Sequence, residues 1–168
     1  MKTLLTLIFI LSSTLSYSAG TDSGGSSSSS GSSSSSNDPK GPSLNNNVDV
    51  NIEYHRAKKL IYKKEYEKGL KILENIESEK PFGYTKADLY NYMGFASRKQ
   101  KNPNFDNAEG YYLKALSLNE DHIGALEYLG ELYFETNRED MARSLLDRLG
   151  MVAGKESSEY KELYDLLN

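Results

Sequence analysis

The sequence predicts an all-α fold: an α-solenoid of three helix-turn-helix repeats with a C-terminal capping helix, preceded by a disordered Ser/Gly-rich segment. Three observations carry this. From Val48 onward apolar residues recur at helical spacing, and no alternating strand pattern competes. Proline and asparagine punctuate that pattern at regular intervals, at Pro81 and at Asn102-Pro103. Small residues also recur in register: Ala57 and Gly69 are 12 apart, as are Gly130 and Ala142.

The first 18 residues read as a signal peptide. Lys2 is followed by an apolar run from Leu4 to Leu15, and Ser16-Tyr17-Ser18 offers small residues for a cut after Ser18. The run is shorter than the roughly 20 residues a membrane span needs; the alternative is an uncleaved short anchor. With the signal removed, no stable membrane insertion is expected. The expected address is outside the cytoplasm: the periplasm in a bacterium, the medium otherwise. The chain has no cysteine, so neither a cysteine-linked lipid nor a disulfide can hold the exported domain.

Residues 19–47 are a Ser/Gly tract followed by an Asn run. They hold too few apolar groups to offset the entropy of ordering. As a flexible linker the segment would span about 30 Å. It is either a tether or stalk, or a plain disordered leader.

The helices then follow in order. Helix one is expected at about Asn51 to Lys63, and helix two at Glu65 to Glu77, with Leu70, Ile72, Leu73 and Ile76 inward. Helix three runs from about Thr85 to Gln100, helix four from Phe105 to Leu118, and helix five from His122 to Glu135. Helix six runs from Glu139 to Leu149, with Gly150 as its left-handed stop. Helix seven runs from Ser158 to Leu167, where Tyr160, Leu163, Tyr164 and Leu167 form a one-sided apolar stripe.

The pairs resemble the tetratricopeptide repeat, a 34-residue helix-turn-helix unit. The third pair reads Leu126-x2-Leu129-Gly130-x2-Tyr133, then Ala142-x3-Leu146; the second reads Tyr90-x2-Met93-Gly94-x2-Ser97, then Ala108-x3-Tyr112. Gly94 and Ala108 are 14 apart, which places two extra residues in the 101–104 turn. A glycine inside a helix costs about 1 kcal/mol relative to alanine, so Gly94 and Gly130 need a close helix approach to justify them. The repeats are therefore placed at about 50–83, 87–122 and 123–154, in a domain 48–168 capped by a helix at about 157–167. The chain departs from the family pattern in having no tryptophan, and in Glu53 and Arg56 at usually apolar positions. The latter suits the outer edge of a stack.

In this family the first helix of each pair lines the concave side. The resemblance therefore assigns a protein- or peptide-binding groove to Tyr54, Lys58 and Tyr62 from the first pair, and to Asn91, Phe95, Arg98 and Lys99 from the second. The third pair contributes Glu127, Glu131, Phe134 and Glu135. A groove of aromatics with both charge signs suits an extended peptide. The implied function is a non-enzymatic scaffold in the cell envelope that binds a protein or peptide.

Chemistry has little to stand on. His55 and His122 lack a second histidine or cysteine at ligand spacing. Glu127, Glu131 and Glu135, at i, i+4 and i+8, read as a solvated face or recognition patch rather than a divalent-cation site. No catalytic residue, metal site or cofactor is expected. From Val48 to Lys80 there are eight basic and seven acidic residues; from Glu120 to Asn168 there are five basic and twelve acidic. That gradient disfavours nucleic acid, and it leaves end-to-end stacking into a homo-oligomer as the alternative function. A metal-binding or catalytic role is a third reading.

Overall fold

The computed structural model describes residues 46–168. The signal, and the linker up to residue 45, lie outside the described residues. Seven α-helices follow one another: α1 Asn46–Tyr62, α2 Tyr66–Asn75, α3 Lys86–Lys99, α4 Phe105–Leu118, α5 Ile123–Glu135, α6 Glu139–Val152 and α7 Ser158–Leu167. Helix α1 starts five residues before its expected position, and Val50, on the added turn, is buried in the core.

Each helix packs on the next, forming the pairs α1/α2, α3/α4 and α5/α6, with α7 packed on both α5 and α6. The first helices also approach one another closely, α1 to α3, α3 to α5 and α5 to α7, whereas the backbones of α2, α4 and α6 stay further apart. The row of first helices is thus the tight, inner side of a curved stack, and the second helices fan outward.

The repeat register shows in the backbone. Among the described residues, Lys64 and Asn137 are the non-glycine residues with positive φ, at 63° and 60°. Each stands seven residues after the small residue of its first helix, Ala57 or Gly130. Each ends that helix in the same way: Glu65 N–H donates to Leu60 C=O at 2.9 Å, and Arg138 N–H to Tyr133 C=O at 2.7 Å. The second pair carries its two extra residues here and turns differently, with Asn104 capping α4 through a bond from Asn107 N–H.

The glycines do what close packing requires, with one change of partner. A Cβ on Gly94 would lie 2.7 Å from two ring atoms of Tyr112 on α4, so α3 rests on the face of that fully buried ring. A Cβ on Gly130 would lie 2.5 Å from Leu163 on α7. The close approach at Gly130 is therefore made with the capping helix rather than with α6. Gly150 does not stop α6, as the sequence suggested; the helix continues to Val152, and Gly154 takes the left-handed φ of 84°. Gly150 instead leaves room for the Tyr160 ring, 2.9 Å from where its Cβ would be.

The buried apolar residues form two clusters. One holds Tyr54, Ala57, Ile61, Leu73, Leu89 and Met93; the other holds Tyr112, Leu126, Leu129, Leu146, Leu149 and Leu163. The Gly94–Tyr112 contact links the helices that carry them. Replacing Gly94 by alanine should push the Tyr112 ring out of its slot. We expect a net loss of about 1 to 2 kcal/mol in urea denaturation, because overpacking outweighs the gain in helix propensity.

Candidate functional site

The inner faces of α1, α3, α5 and α7 form the candidate interaction surface. The eleven residues expected there fall into two sets. Tyr54, Asn91, Arg98 and Glu127 are buried, whereas Lys58, Phe95, Glu131 and Phe134 are half-buried and Tyr62, Lys99 and Glu135 exposed. The buried set shapes the surface from beneath, and the other seven are open to a ligand.

At the α1–α3 end the surface is aromatic and basic. Tyr54 stacks on Tyr84 with centroids 4.1 Å apart, and meets Tyr92 edge-on at 6.0 Å. The Lys58 ammonium lies over the rings of Tyr54 and Tyr92, at 5.5 and 5.0 Å. Among the described residues it pairs with no carboxylate. Tyr62, 64 % exposed, is held by a 3.2 Å contact between its hydroxyl and that of Tyr92. Tyr92 is absent from the expected set. Its position on α3 follows that of Asn91, and only the packing shows that its ring tilts onto Tyr54.

In the middle, Phe95 joins Tyr66 on α2 to Tyr128 on α5, at 6.1 and 5.0 Å. Below it lies an ion-pair network. The Arg98 side chain, fully buried, donates to Glu131 and to Glu135, the latter at 3.3 Å, while Lys99 stands 3.9 and 3.6 Å from the same two carboxylates. Burial works against the arginine's charge, but Tyr112, Glu131 and Glu135 outweigh it and raise its pKa above the ordinary value. The network ties α3 to α5 along the inner row.

The α5–α7 end is acidic. Glu127 is 2 % exposed, and its Oε1 has no hydrogen-bond partner among the described residues; nor has the buried Oε2 of Glu162 on α7. Burial, followed by a hydrogen bond with Glu162 and the charges of Glu131, Glu162 and Glu159, pushes the Glu127 carboxyl far above the carboxylate range. The pair therefore shares a proton: Glu127 O–H donates to Glu162.

The histidines sit apart from this surface's charges. His122 is the N-cap of α5: its Nδ1 accepts Ala125 N–H at 3.1 Å, and its Nε2 faces Asp88 Oδ1 at 3.2 Å. Asp88 also closes a capping box with Thr85 at the start of α3. Burial raises the Asp88 pKa, but the bonds from Thr85 and His122 outweigh it and hold the carboxyl below its usual value. With both ring nitrogens engaged, His122 is a clasp between α3 and α5. His55 is exposed on α1, edge-on to Tyr54 at 5.6 Å. Among the described residues no three His, Asp or Glu side chains converge as metal ligands would.

No curated protein sequence matches the chain. Residues 101–167, which hold α4 to α7, match the tetratricopeptide repeat family. Among solved structures, the chain is similar to PcrH in its complex with the chaperone binding region of PopB. The two share 10 % identity over 71 % of this chain and 95 % of that one, with a TM-score of 0.62. That likeness establishes the fold. Together with the family match over α4 to α7 and the stacked helix pairs, it supports reading the chain as a tetratricopeptide repeat protein.

Proposed function

We propose that the chain is a non-enzymatic scaffold of the cell envelope or its exterior that binds an extended segment of another protein along the inner faces of α1, α3 and α5. The observation that carries this reading is the row of incompletely buried aromatics, Tyr62, Tyr92, Phe95 and Phe134, flanked by exposed charges of both signs. Aromatic side chains supply large contact area at low entropic cost and anchor most protein interfaces. The solved relative is itself described with a bound segment of a partner protein, which supports the same mode here. The exported address rests on the N-terminal 18 residues.

The experiment is site-specific photo-crosslinking in producing cells, with benzoylphenylalanine at Tyr62 or Phe134 and, as the outer-face control, at Leu113 on α4. Leu113 is 48 % exposed, so accessibility does not separate the sites. A discrete crosslinked product from the two inner positions and none from Leu113 is expected. Equal products at all three, or none at the inner pair, would overturn the groove assignment.

A further inference from the structure

The inner row of helices balances its charges at one joint and not at the next. Between α3 and α5, each carboxylate has a cation: Arg98 and Lys99 serve Glu131 and Glu135. Between α5 and α7, Glu127 meets Glu162, with Glu159 one helical turn before it, and no lysine or arginine pairs with any of the three among the described residues. The nearest basic residue in sequence, Lys161, is turned to Glu156 at 2.9 Å.

Two features make this more than a cluster of acids. Glu127 is almost fully buried, yet one of its oxygens has no partner, and Glu162 buries an unpartnered oxygen as well. A carboxylate interior of this kind is costly unless something positive or protic satisfies it. The packing also fixes the acids in place. One turn after Glu127, Gly130 receives Leu163, so α7 cannot slide along α5 without losing a fully buried leucine contact. Glu159 and Glu162 are half-exposed on the open side of this joint, and Leu166, 39 % exposed, stands one turn beyond.

We infer that the joint between α5 and α7 is a subsite for a basic side chain, a lysine or an arginine, of the segment bound in the groove. Glu162 and Glu159 receive the cation and Leu166 offers its aliphatic stem an apolar ledge. A metal ion fits less well, since the carboxylates do not converge as ligands. A guanidinium or ammonium bridges carboxylates at wider separations through several donors. The basic side chain takes over the role of the shared proton, supplying the positive charge that the paired acids lack. The subsite fixes the direction of the bound segment, because the other end of the groove carries Lys58, which pairs with no carboxylate among the described residues.

This inference rests on the groove-binding reading, and the experiment separates the two. A display library of random dodecapeptides is selected on the full chain and on its Glu159→Gln/Glu162→Gln variant. A lysine or arginine enriched at one fixed distance from apolar anchors on the parent, and lost on the variant, is the expected result. A selected peptide, resynthesised with norleucine for that residue, should bind the parent about tenfold more weakly by titration calorimetry. Apolar peptides enriched without a fixed basic residue would overturn the subsite and leave the groove. No enrichment on the parent would overturn both. Should the variant lose its helical circular dichroism, the norleucine comparison on the parent decides, and an unchanged affinity there overturns the subsite.

Discussion

Arg98→Met should cost the fold about 3 kcal/mol in urea denaturation. The arginine is fully enclosed, and its guanidinium answers two carboxylates on the neighbouring first helix. Replacing a whole buried ion pair by apolar groups is often neutral, but removing one partner strands the other's charge at about 3 to 5 kcal/mol. The lower end applies here because Glu131 and Glu135 keep 19 and 36 % exposure, and Lys99 stays near both. The triple variant Arg98→Met/Glu131→Gln/Glu135→Gln should recover most of the loss, since the only charge then left unpaired is that of Lys99, whose side chain keeps 35 % exposure to water. A single-variant loss under 1 kcal/mol would show that the network contributes nothing to stability.

Glu127→Gln should do the opposite, and only above acid pH. The folded state raises this carboxyl's pKa by burial, by the bond with Glu162 and by the neighbouring charges of Glu131 and Glu159. The unfolded chain returns it to about 4.3. Between those values the folded form holds a proton that the unfolded form has lost. The stabilising contribution is therefore complete below about pH 4.3 and declines as pH rises, by up to about 1.4 kcal/mol per unit. The parent should be more resistant to urea at pH 5 than at pH 8. Glutamine keeps a donor for Glu162 without taking up a proton, so the variant should exceed the parent by about 2 kcal/mol at pH 8 and match it near pH 4. Parallel pH profiles for the two proteins would place the dependence elsewhere.

Much of the fold was legible because it rests on local rules. Apolar spacing placed all seven helices, with α4 and α7 bounded as expected. The recurrence of small residues gave a register that Lys64 and Asn137 repeat in their backbone angles. Gly150 misled because a glycine near a helix end reads the same whether it ends the helix or admits a ring; the Tyr160 ring decides, from ten residues away. The surface was harder to read for a related reason. Helical spacing says which residues share a face but not what covers that face. Arg98 meets acids 33 and 37 residues on, and Glu127 meets Glu162. Both are buried by partners that no local pattern announces. Tyr92 escaped notice because it belongs to the flank of α3 and reaches the surface only by leaning on Tyr54.

Helix α7 occupies the place a fourth first helix would take: it fills the hollow at Gly130 with Leu163, and its last carbonyl accepts a bond from Arg143 on α6 at 2.8 Å. Its outward side carries Lys161, Tyr164 and Asp165, all exposed. A helix pair spliced on behind it would meet the charges of Lys161 and Asp165 there. An engineer lengthening this array should therefore insert new units upstream of α5, which leaves Leu163 seated on Gly130 and the Arg143 bond to α7 intact.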